Sequence, residues 1–526
     1  MEPAALERAA LLARLGEARE WDLAVVGGGA TGLGVALDAA ARGFSVVLVE
    51  SHDFAEGTSS RATKLVHGGV RYLAQGNVGL VREALHERAA VLANAPHVAQ
   101  PLPFVMPGYR WWERAFYGSG LKAYDLLAGR RGLGATEFLS SARVQALLPG
   151  VRRAGLSGGV RYWDGQFDDA RLAVLLARTA AARGALVVNH VEAVDLLREA
   201  GRVKGLVVRD RESGREWRVR ARCVVNAAGV WVDAVRAMDR DPGAPPRPPM
   251  VAPSQGVHLV VDRRFMPGTH ALLVPKTADG RVLFAVPWLG KLILGTTDTP
   301  REDLAREPQP FADEVAFILG EAARYLESAP KREDVRSVWV GLRPLVKHSG
   351  EDGESTKALS REHTVIVGRS GLVTVTGGKW TTYRAMAEDV LDRCMARGLL
   401  PRKPGGVTAQ LVLVGAAPGR PLAAPPGEHL YGSEAAALRA LPGADRWLWR
   451  DGEGGLSEAM VRFAARHEMA REVGDVLARR SRLLFLDAAE AGRLADAVAR
   501  LLAVETGREV NAAPFKALAA RYASLP

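Results

Sequence analysis

The chain has 526 residues, 48% hydrophobic and 25% charged, a balance that excludes an intrinsically disordered protein and supplies two or more domains with large cores. Its two cysteines, Cys223 and Cys394, and eleven scattered histidines exclude a disulfide framework and give no metal-ligand spacing, so no metal is expected. Lys and Arg exceed Asp and Glu by 70 to 59, a net +11, which suits an anionic partner (a membrane surface, a nucleic acid or a phosphorylated substrate) or reflects an arginine- and alanine-rich composition alone.

The first stretch to carry chemistry is residues 21–50, WDLAVVGGGATGLGVALDAAARGFSVVLVE. An apolar run ends in Gly27-x-Gly29-x-x-Gly32, an alanine-rich helix follows, and a second apolar run ends at Glu50. This is the strand, glycine turn, helix and strand of a dinucleotide site. Gly27, Gly29, Ala30, Thr31 and Gly32 are expected at a pyrophosphate on the helix N-terminus, with Glu50 accepting from ribose hydroxyls. The preceding twenty residues are too charged for a signal peptide, and no apolar run is long enough to span a bilayer, so a cytoplasmic protein is expected.

Residues 51–73 form a glycine- and hydroxyl-rich loop, in which Thr58, Ser59, Ser60 and Thr63 can donate to a diphosphate beside Lys64, His67 and Arg71. Apolar residues at helical spacing predict an amphipathic helix over 78–94. Residues 108–131 then interleave Trp111, Trp112, Phe116, Tyr117 and Tyr124 with Arg110, Arg114, Lys122, Arg130 and Arg131. That pattern reads as a membrane-interfacial surface or as an aromatic packing helix.

Residues 158–197 read as strand, polar turn, helix and strand. The run 221–235 is an apolar strand breaking at Ala227-Ala228-Gly229, a second place for backbone to approach a dinucleotide, which makes Gly229 a candidate contact. A proline-rich linker at 242–253 precedes β-rich sequence, expected to form an antiparallel sheet. A last strand near 372–376 ends in Gly377-Gly378-Lys379 before a helix starting near Thr381, so the cofactor domain is expected in separated pieces. The division predicted is 18–75, 155–240 and 345–400 for the cofactor domain, 76–154 and 241–344 for the substrate domain, and 401–526 for a helical C-terminal domain without strands.

Taken together, VVGGGATGLG, TSSRATKLVHGGVRYL, FDDARL, VVNAAGVWV, FAVPWLGKLILGTTDT, VGLRPL and GGKWTTYR resemble the FAD-dependent, respiratory glycerol-3-phosphate dehydrogenases of the glycine oxidase and D-amino acid oxidase class. The resemblance implies an α/β plus α+β fold: a Rossmann-like FAD-binding domain, an antiparallel-sheet substrate domain and the helical C-terminal domain. It implies FAD with Glu50 at the ribose, the loop from Thr58 to Leu65 at the diphosphate, and Gly69, Gly378, Lys379 and Thr381 as further cofactor contacts. Arg61 and Ala62 depart from the family's richer serine run there.

The resemblance also places Arg71, Tyr72, His258, Arg343, Arg361 and Lys379 around glycerol 3-phosphate. Several fixed cations suit a phosphate dianion. His258, Arg343 and Lys379 are the catalytic candidates, His258 as base because imidazole titrates near neutrality. The reaction implied is oxidation to dihydroxyacetone phosphate by hydride transfer to FAD, with electrons passing to a membrane quinone. The protein would then sit peripherally on the anionic inner face of the cell membrane, and a homodimer stays open.

The alternative is a glycerol-3-phosphate oxidase that reduces oxygen to hydrogen peroxide. An amino acid oxidase needs an arginine for a carboxylate but not a group of cations, and no RNA-binding motif accompanies the basic charge, so nucleic acid is not an expected partner.

Overall fold

In the computed structural model, which describes residues 6–73, 76–239, 247–277, 280–347 and 363–526, the strand Glu20–Val26 lies inside an eight-stranded sheet. Arg361 lies outside the described residues, as do the side chains of Arg71 and Tyr72. Six of its strands lie in the order Thr364–Val367, Val373–Thr376, Glu216–Asn226, Glu20–Val26, Val46–Val49, Leu186–Val188, and the other two, Val191–Glu199 and Arg202–Asp210, pair with each other and, through the second, with Glu216–Asn226. All but the first of the six run parallel. Parallel strands are covered on both faces, which is why Leu23, Ala24 and Val25 are continuous apolar residues with no exposed surface.

Register then decides where a ligand can sit. Val26 pairs with both Val49 and Asn226, and Asn226 pairs with Thr374. The three glycine turns that follow, at 27–32, 227–229 and 377–378, therefore emerge side by side from the carboxyl ends of neighbouring parallel strands. That edge is where open α/β sheets bind dinucleotides.

The second sheet has ten strands. Near one edge lies its longest strand, Val251–Asp262, paired along its length with Ser337–Val346 and also with Lys291–Gly295. The strand Gly158–Phe167, expected with the cofactor domain, lies in this second sheet instead. It pairs antiparallel with Ala99–Gly108 from Ala99↔Phe167 to Gly108↔Gly158. The short strand Leu65–Val66 pairs with its other end, at Gln166 and Gly165, so the loop expected to carry cofactor contacts runs directly from one sheet into the other.

The C-terminal region is mostly helical but contains a hairpin after its first helices, Trp447–Asp451 against Gly454–Ser457, which departs from the expectation of no strands. The turn is made at Gly452, whose φ of 56° suits glycine. Phe463, Leu477, Phe485 and Leu494 share one core with Phe104, Val260, Trp288 and Trp339 of the second sheet.

Buried ion pairs join the same region to the first sheet's surroundings: Arg171 with Glu468 at 2.8 Å and Arg178 with Glu434 at 2.6 Å. Asp53, His190 and Asp475 converge as well. The Asp53 carboxylate accepts from Asn189, Arg479 and Arg480, and Asp475 accepts from Arg479 and contacts His190. These acids are met by guanidinium groups, which makes the cluster a staple between chain segments.

The aromatic and basic segment becomes the helix Glu113–Ala128. The packing reading holds for one face, and aromatic and apolar side chains stay exposed elsewhere on the segment. Gly118, Leu121, Tyr124 and Ala128 pack inward, while Trp111 is 87%, Phe116 66% and Leu126 83% exposed.

Candidate active site

The first glycine turn is close-packed for a reason. A Cβ on Gly27 would stand 2.6 Å from the Ala227 carbonyl oxygen, and one on Gly32 would stand 2.0 Å from that of Gly27. Gly29 opens the helix Ala30–Ala41 with no side-chain cap, so first-turn N–H groups remain for an anion.

The Ala30 N–H donates to Ser59 Oγ at 3.0 Å, which brings the hydroxyl loop over the helix end. Glu50 accepts from the Gly28 N–H at 2.7 Å and from the His52 N–H at 2.8 Å. A carboxylate has lone pairs beyond these for ribose hydroxyls. Gly229, at φ 61°, faces open space where its Cβ would be. This cradle fits an extended dinucleotide.

The hydroxyl loop 58–67 is tied on three sides. Thr58 Oγ1 donates to the Leu342 carbonyl at 2.6 Å. Trp380 Nε1 donates to the Ser59 carbonyl at 2.8 Å, and the His67 N–H donates to Thr381 Oγ1 at 3.2 Å. The turn carrying Lys379 is thus fastened against the loop at two points. Gly378, at φ 74°, packs so closely that a Cβ would meet Met386 Sδ at 2.4 Å.

Lys64 is a correction. Its ammonium, expected beside the diphosphate, turns inward to Asp169 at 2.8 Å and the Ser60 carbonyl at 2.7 Å. Rings of Trp288, Trp339 and Phe485 surround it at 5.2 to 5.3 Å. Burial pulls this lysine down to about 7, although Asp169 opposes the shift. Only its backbone is left to serve a cofactor.

His258 and Arg343 stand on neighbouring antiparallel strands, where His258 pairs with Trp339 and Ser254 with Arg343. Period-two alternation puts Ser254, Gly256 and His258 on one face, and Gly256 makes the connection. The space its Cβ would fill holds the Arg343 guanidinium, with Nη2 at 2.4 Å. Gly295 plays the same part opposite His258, whose Cδ2 lies 2.5 Å from the missing Cβ.

The guanidinium is fixed by donation to the Gln255 carbonyl at 3.1 Å, Asp298 at 3.0 Å, Thr296 Oγ1 at 3.3 Å and the Thr297 carbonyl at 2.9 Å. The GTTD string therefore orients this cation.

The His258 imidazole stacks on Trp339, centroids 5.2 Å apart and planes at 15°. Its Nε2 lies 2.9 Å from Thr63 Oγ1, and its buried Nδ1 has no hydrogen-bond partner. Burial, then the charges of Lys64 and Arg343, hold its proton affinity well below that of a free imidazole. Both effects favour the neutral form of the ring.

Gly256 and Trp339 are residues sequence reasoning did not single out, and Gly295, Thr296 and Asp298 entered it only as part of the GTTD string, without a role. Glycine inside a strand, a known sign of close approach, was the available signal for Gly256 and Gly295.

Residues 22–384 match the family described as FAD dependent oxidoreductase, and residues 427–512 match the C-terminal domain of alpha-glycerophosphate oxidase. Among curated relatives, a mitochondrial glycerol-3-phosphate dehydrogenase of Arabidopsis thaliana is 41% identical over 92% of this chain and 82% of its own length. The Homo sapiens mitochondrial glycerol-3-phosphate dehydrogenase is 39% identical over 97% of this chain and 73% of its own.

Among solved structures, the glycerol-3-phosphate dehydrogenase from Bacillus halodurans complexed with FAD superposes with a TM-score of 0.76 at 30% identity, covering 98% of each chain. The L-alpha-glycerophosphate oxidase from Mycoplasma pneumoniae, at 16% identity and a TM-score of 0.56 over 74% of this chain and 96% of its own, shares the fold. With the cradle, the second sheet and the C-terminal region all matched, this chain belongs to the FAD-dependent glycerol-3-phosphate dehydrogenases.

Proposed function

We propose that the chain oxidises sn-glycerol 3-phosphate to dihydroxyacetone phosphate and passes the electrons to a membrane quinone. The observation that carries the chemistry is the neutral, buried His258 beside the fixed Arg343, at the loop that caps the dinucleotide cradle. Bound FAD supplies the acceptor for the hydride leaving C2. His258 takes the proton of the C2 hydroxyl, and Thr63, within hydrogen-bond reach of Nε2, fixes which way the ring faces.

Arg343 and Lys379 hold the phosphate and stabilise negative charge developing on the C2 oxygen, with Arg71, Tyr72 and Arg361 assigned to the same pocket by the family resemblance. The charges explain why a phosphorylated alcohol is required. Lys64 and Arg343 oppose formation of an imidazolium at His258, and a phosphate dianion at the Arg343 guanidinium offsets part of that opposition as the proton moves. Free glycerol cannot, so it loses turnover as well as affinity.

Support for the membrane partner comes from the exposed Trp111, Phe116 and Leu126 flanked by the exposed Arg110, Lys122, Arg130 and Arg131, a composition suited to the surface of an anionic bilayer. Among the described residues no helix is long and apolar enough to cross a membrane, and the reading is peripheral attachment at the inner face. Relatives named dehydrogenase at 39 to 41% identity favour the quinone over the oxidase alternative.

The test is the bound-flavin spectrum during anaerobic addition of glycerol 3-phosphate, free glycerol or a D-amino acid. Bleaching by glycerol 3-phosphate alone, followed by recolouring that is slow in oxygen and fast with a quinone analogue, is the expected result. No bleaching by glycerol 3-phosphate overturns the substrate. Rapid recolouring in oxygen with peroxide overturns the acceptor.

A further inference from the structure

The C-terminal domain sends one segment beneath the catalytic loop. After the wide helical turn Asp475–Arg480, Arg482 adopts a left-handed backbone at φ 65° and starts the helix Leu483–Leu486. Its guanidinium has no exposed surface. It donates to the Ser60 carbonyl at 2.7 Å, to Asp169 at 3.0 Å and to the Ala478 carbonyl at 2.8 Å, and lies 3.4 Å from Asp168.

Lys64 shares two of these acceptors, the Ser60 carbonyl and the Asp169 carboxylate. Two cations therefore clamp both ends of the 60–64 turn, and Thr63 within that turn meets His258. The Ala62 N–H donates to Asp169 as well, at 3.1 Å.

A second route reaches the same imidazole through rings. Phe485 packs edge-on against Trp339 with centroids 5.1 Å apart, and Trp339 stacks on His258 at 5.2 Å. The Arg482 guanidinium sits 4.3 Å from the Phe485 ring centroid, which joins the two routes at their base. Each element is common in a core. What is unusual is that both routes start three residues apart in the C-terminal domain, at Arg482 and Phe485, and end on one histidine, at its Nε2 and at its ring face.

We infer that Arg482 and Phe485 are positioning residues for the reaction, through which the C-terminal domain holds the 60–64 turn and Trp339 so that the His258 ring keeps its orientation. This rests on the reading of His258 as the base. The charged groups facing that imidazole are Lys64 and Arg343, with Asp169 and Asp298 behind them. Arg482→Lys keeps the charge but loses the fork that serves Ser60 and Asp169 together, and Phe485→Leu removes the ring contact while keeping an apolar side chain.

The experiment is rapid-mixing reduction of the flavin by glycerol 3-phosphate in the full-length holoenzyme, with reoxidation by a quinone analogue measured separately. Both variants are expected to reduce flavin at least about tenfold more slowly, a part of the 10²–10⁴ that a well-placed base supplies. KM, flavin content and reoxidation should stay near wild type, and the pH profile of reduction should move.

Arg482→Lys should also be less than additive with Thr63→Val, since both act through one turn. Glu434→Gln, which breaks the buried pair with Arg178 in the same domain, should lower Tm without moving the pH profile.

Wild-type reduction rates in both variants, full additivity with Thr63→Val, or an equal shift in Glu434→Gln would overturn the inference. If Arg482→Lys does not fold, Phe485→Leu decides alone. A His258→Asn enzyme that reduces flavin at the wild-type rate overturns the reading of the base itself, whereas a His258→Asn enzyme slowed about 10²-fold or more beside unaffected Arg482 and Phe485 variants overturns only the positioning role.

Discussion

Replacing Gly256 by alanine adds one methyl group at the point where the strands carrying His258 and Arg343 share space. The residue's φ lies outside the left-handed region, so the backbone accepts alanine and the perturbation is steric alone. The new Cβ would sit 2.4 Å from Arg343 Nη2 and 2.7 Å from Thr296 Oγ1, about 1 Å short of ordinary contact.

The guanidinium must move by that distance, against the four acceptors that hold it. Misplacing a catalytic group by about 1 Å costs roughly 10²-fold, which corresponds to about 2.7 kcal/mol of transition-state stabilisation. Overpacking a full core costs about 1–3 kcal/mol of stability, and the partly exposed Arg343 puts this site at the low end. The assay is kcat/KM for glycerol 3-phosphate with an artificial acceptor, alongside flavin absorbance per chain and Tm. Gly320→Ala is the control, because a Cβ there meets nothing within 4 Å. A Gly256→Ala enzyme with full flavin and wild-type kcat/KM would refute the claim that this glycine seats the cation, and loss of flavin would relocate the defect to the cofactor cradle.

Three further outcomes follow from the same geometry. His258→Asn should retain FAD and bind glycerol 3-phosphate while flavin reduction slows by about 10²-fold or more; unchanged reduction assigns the base elsewhere. Trp111→Ser combined with Phe116→Ser should weaken binding to anionic vesicles at least about tenfold by removing two apolar rings, with soluble activity intact, and unchanged sedimentation with vesicles would move the docking surface elsewhere.

His97 is buried with both ring nitrogens unpartnered. Burial, then Arg171 and Arg178, lower it to about 3, beneath its unfolded value of about 6.5. Between those values the unfolded chain holds a proton that the folded chain does not, so stability falls as pH falls, by up to about 1.4 kcal/mol per pH unit. His97→Leu should flatten that acid limb in urea midpoints measured from about pH 6 to about pH 4, and an unchanged limb would show that other groups set it.

The cofactor half was legible because its constraints are local. Gly27, Gly29 and Gly32 are spaced by the turn itself, and the apolar runs before them are continuous because parallel strands are covered twice. The catalytic half depends on residues that meet only across strands.

Gly256 and Gly295 look like interruptions in β-rich sequence until the register sets them against Arg343 and His258. Lys64 misled for a related reason: in sequence a lysine beside four hydroxyls suggests a phosphate ligand, and only the long-range arrival of Asp169 and Arg482 shows that its charge is already held. The strand Gly158–Phe167 went to the wrong sheet because chain order placed it next to the helix Asp169–Ala182, whereas pairing is decided by the partner that shares its pleat, and that partner lies about fifty residues upstream.

Local spacing therefore specified the half of the protein that meets a generic cofactor. The half proposed to select a substrate was built from single residues whose meaning is supplied by the opposite strand, and its distinctive feature, a buried His258 stacked on Trp339 with Arg343 on the same strand pair, exists only once those strands have paired.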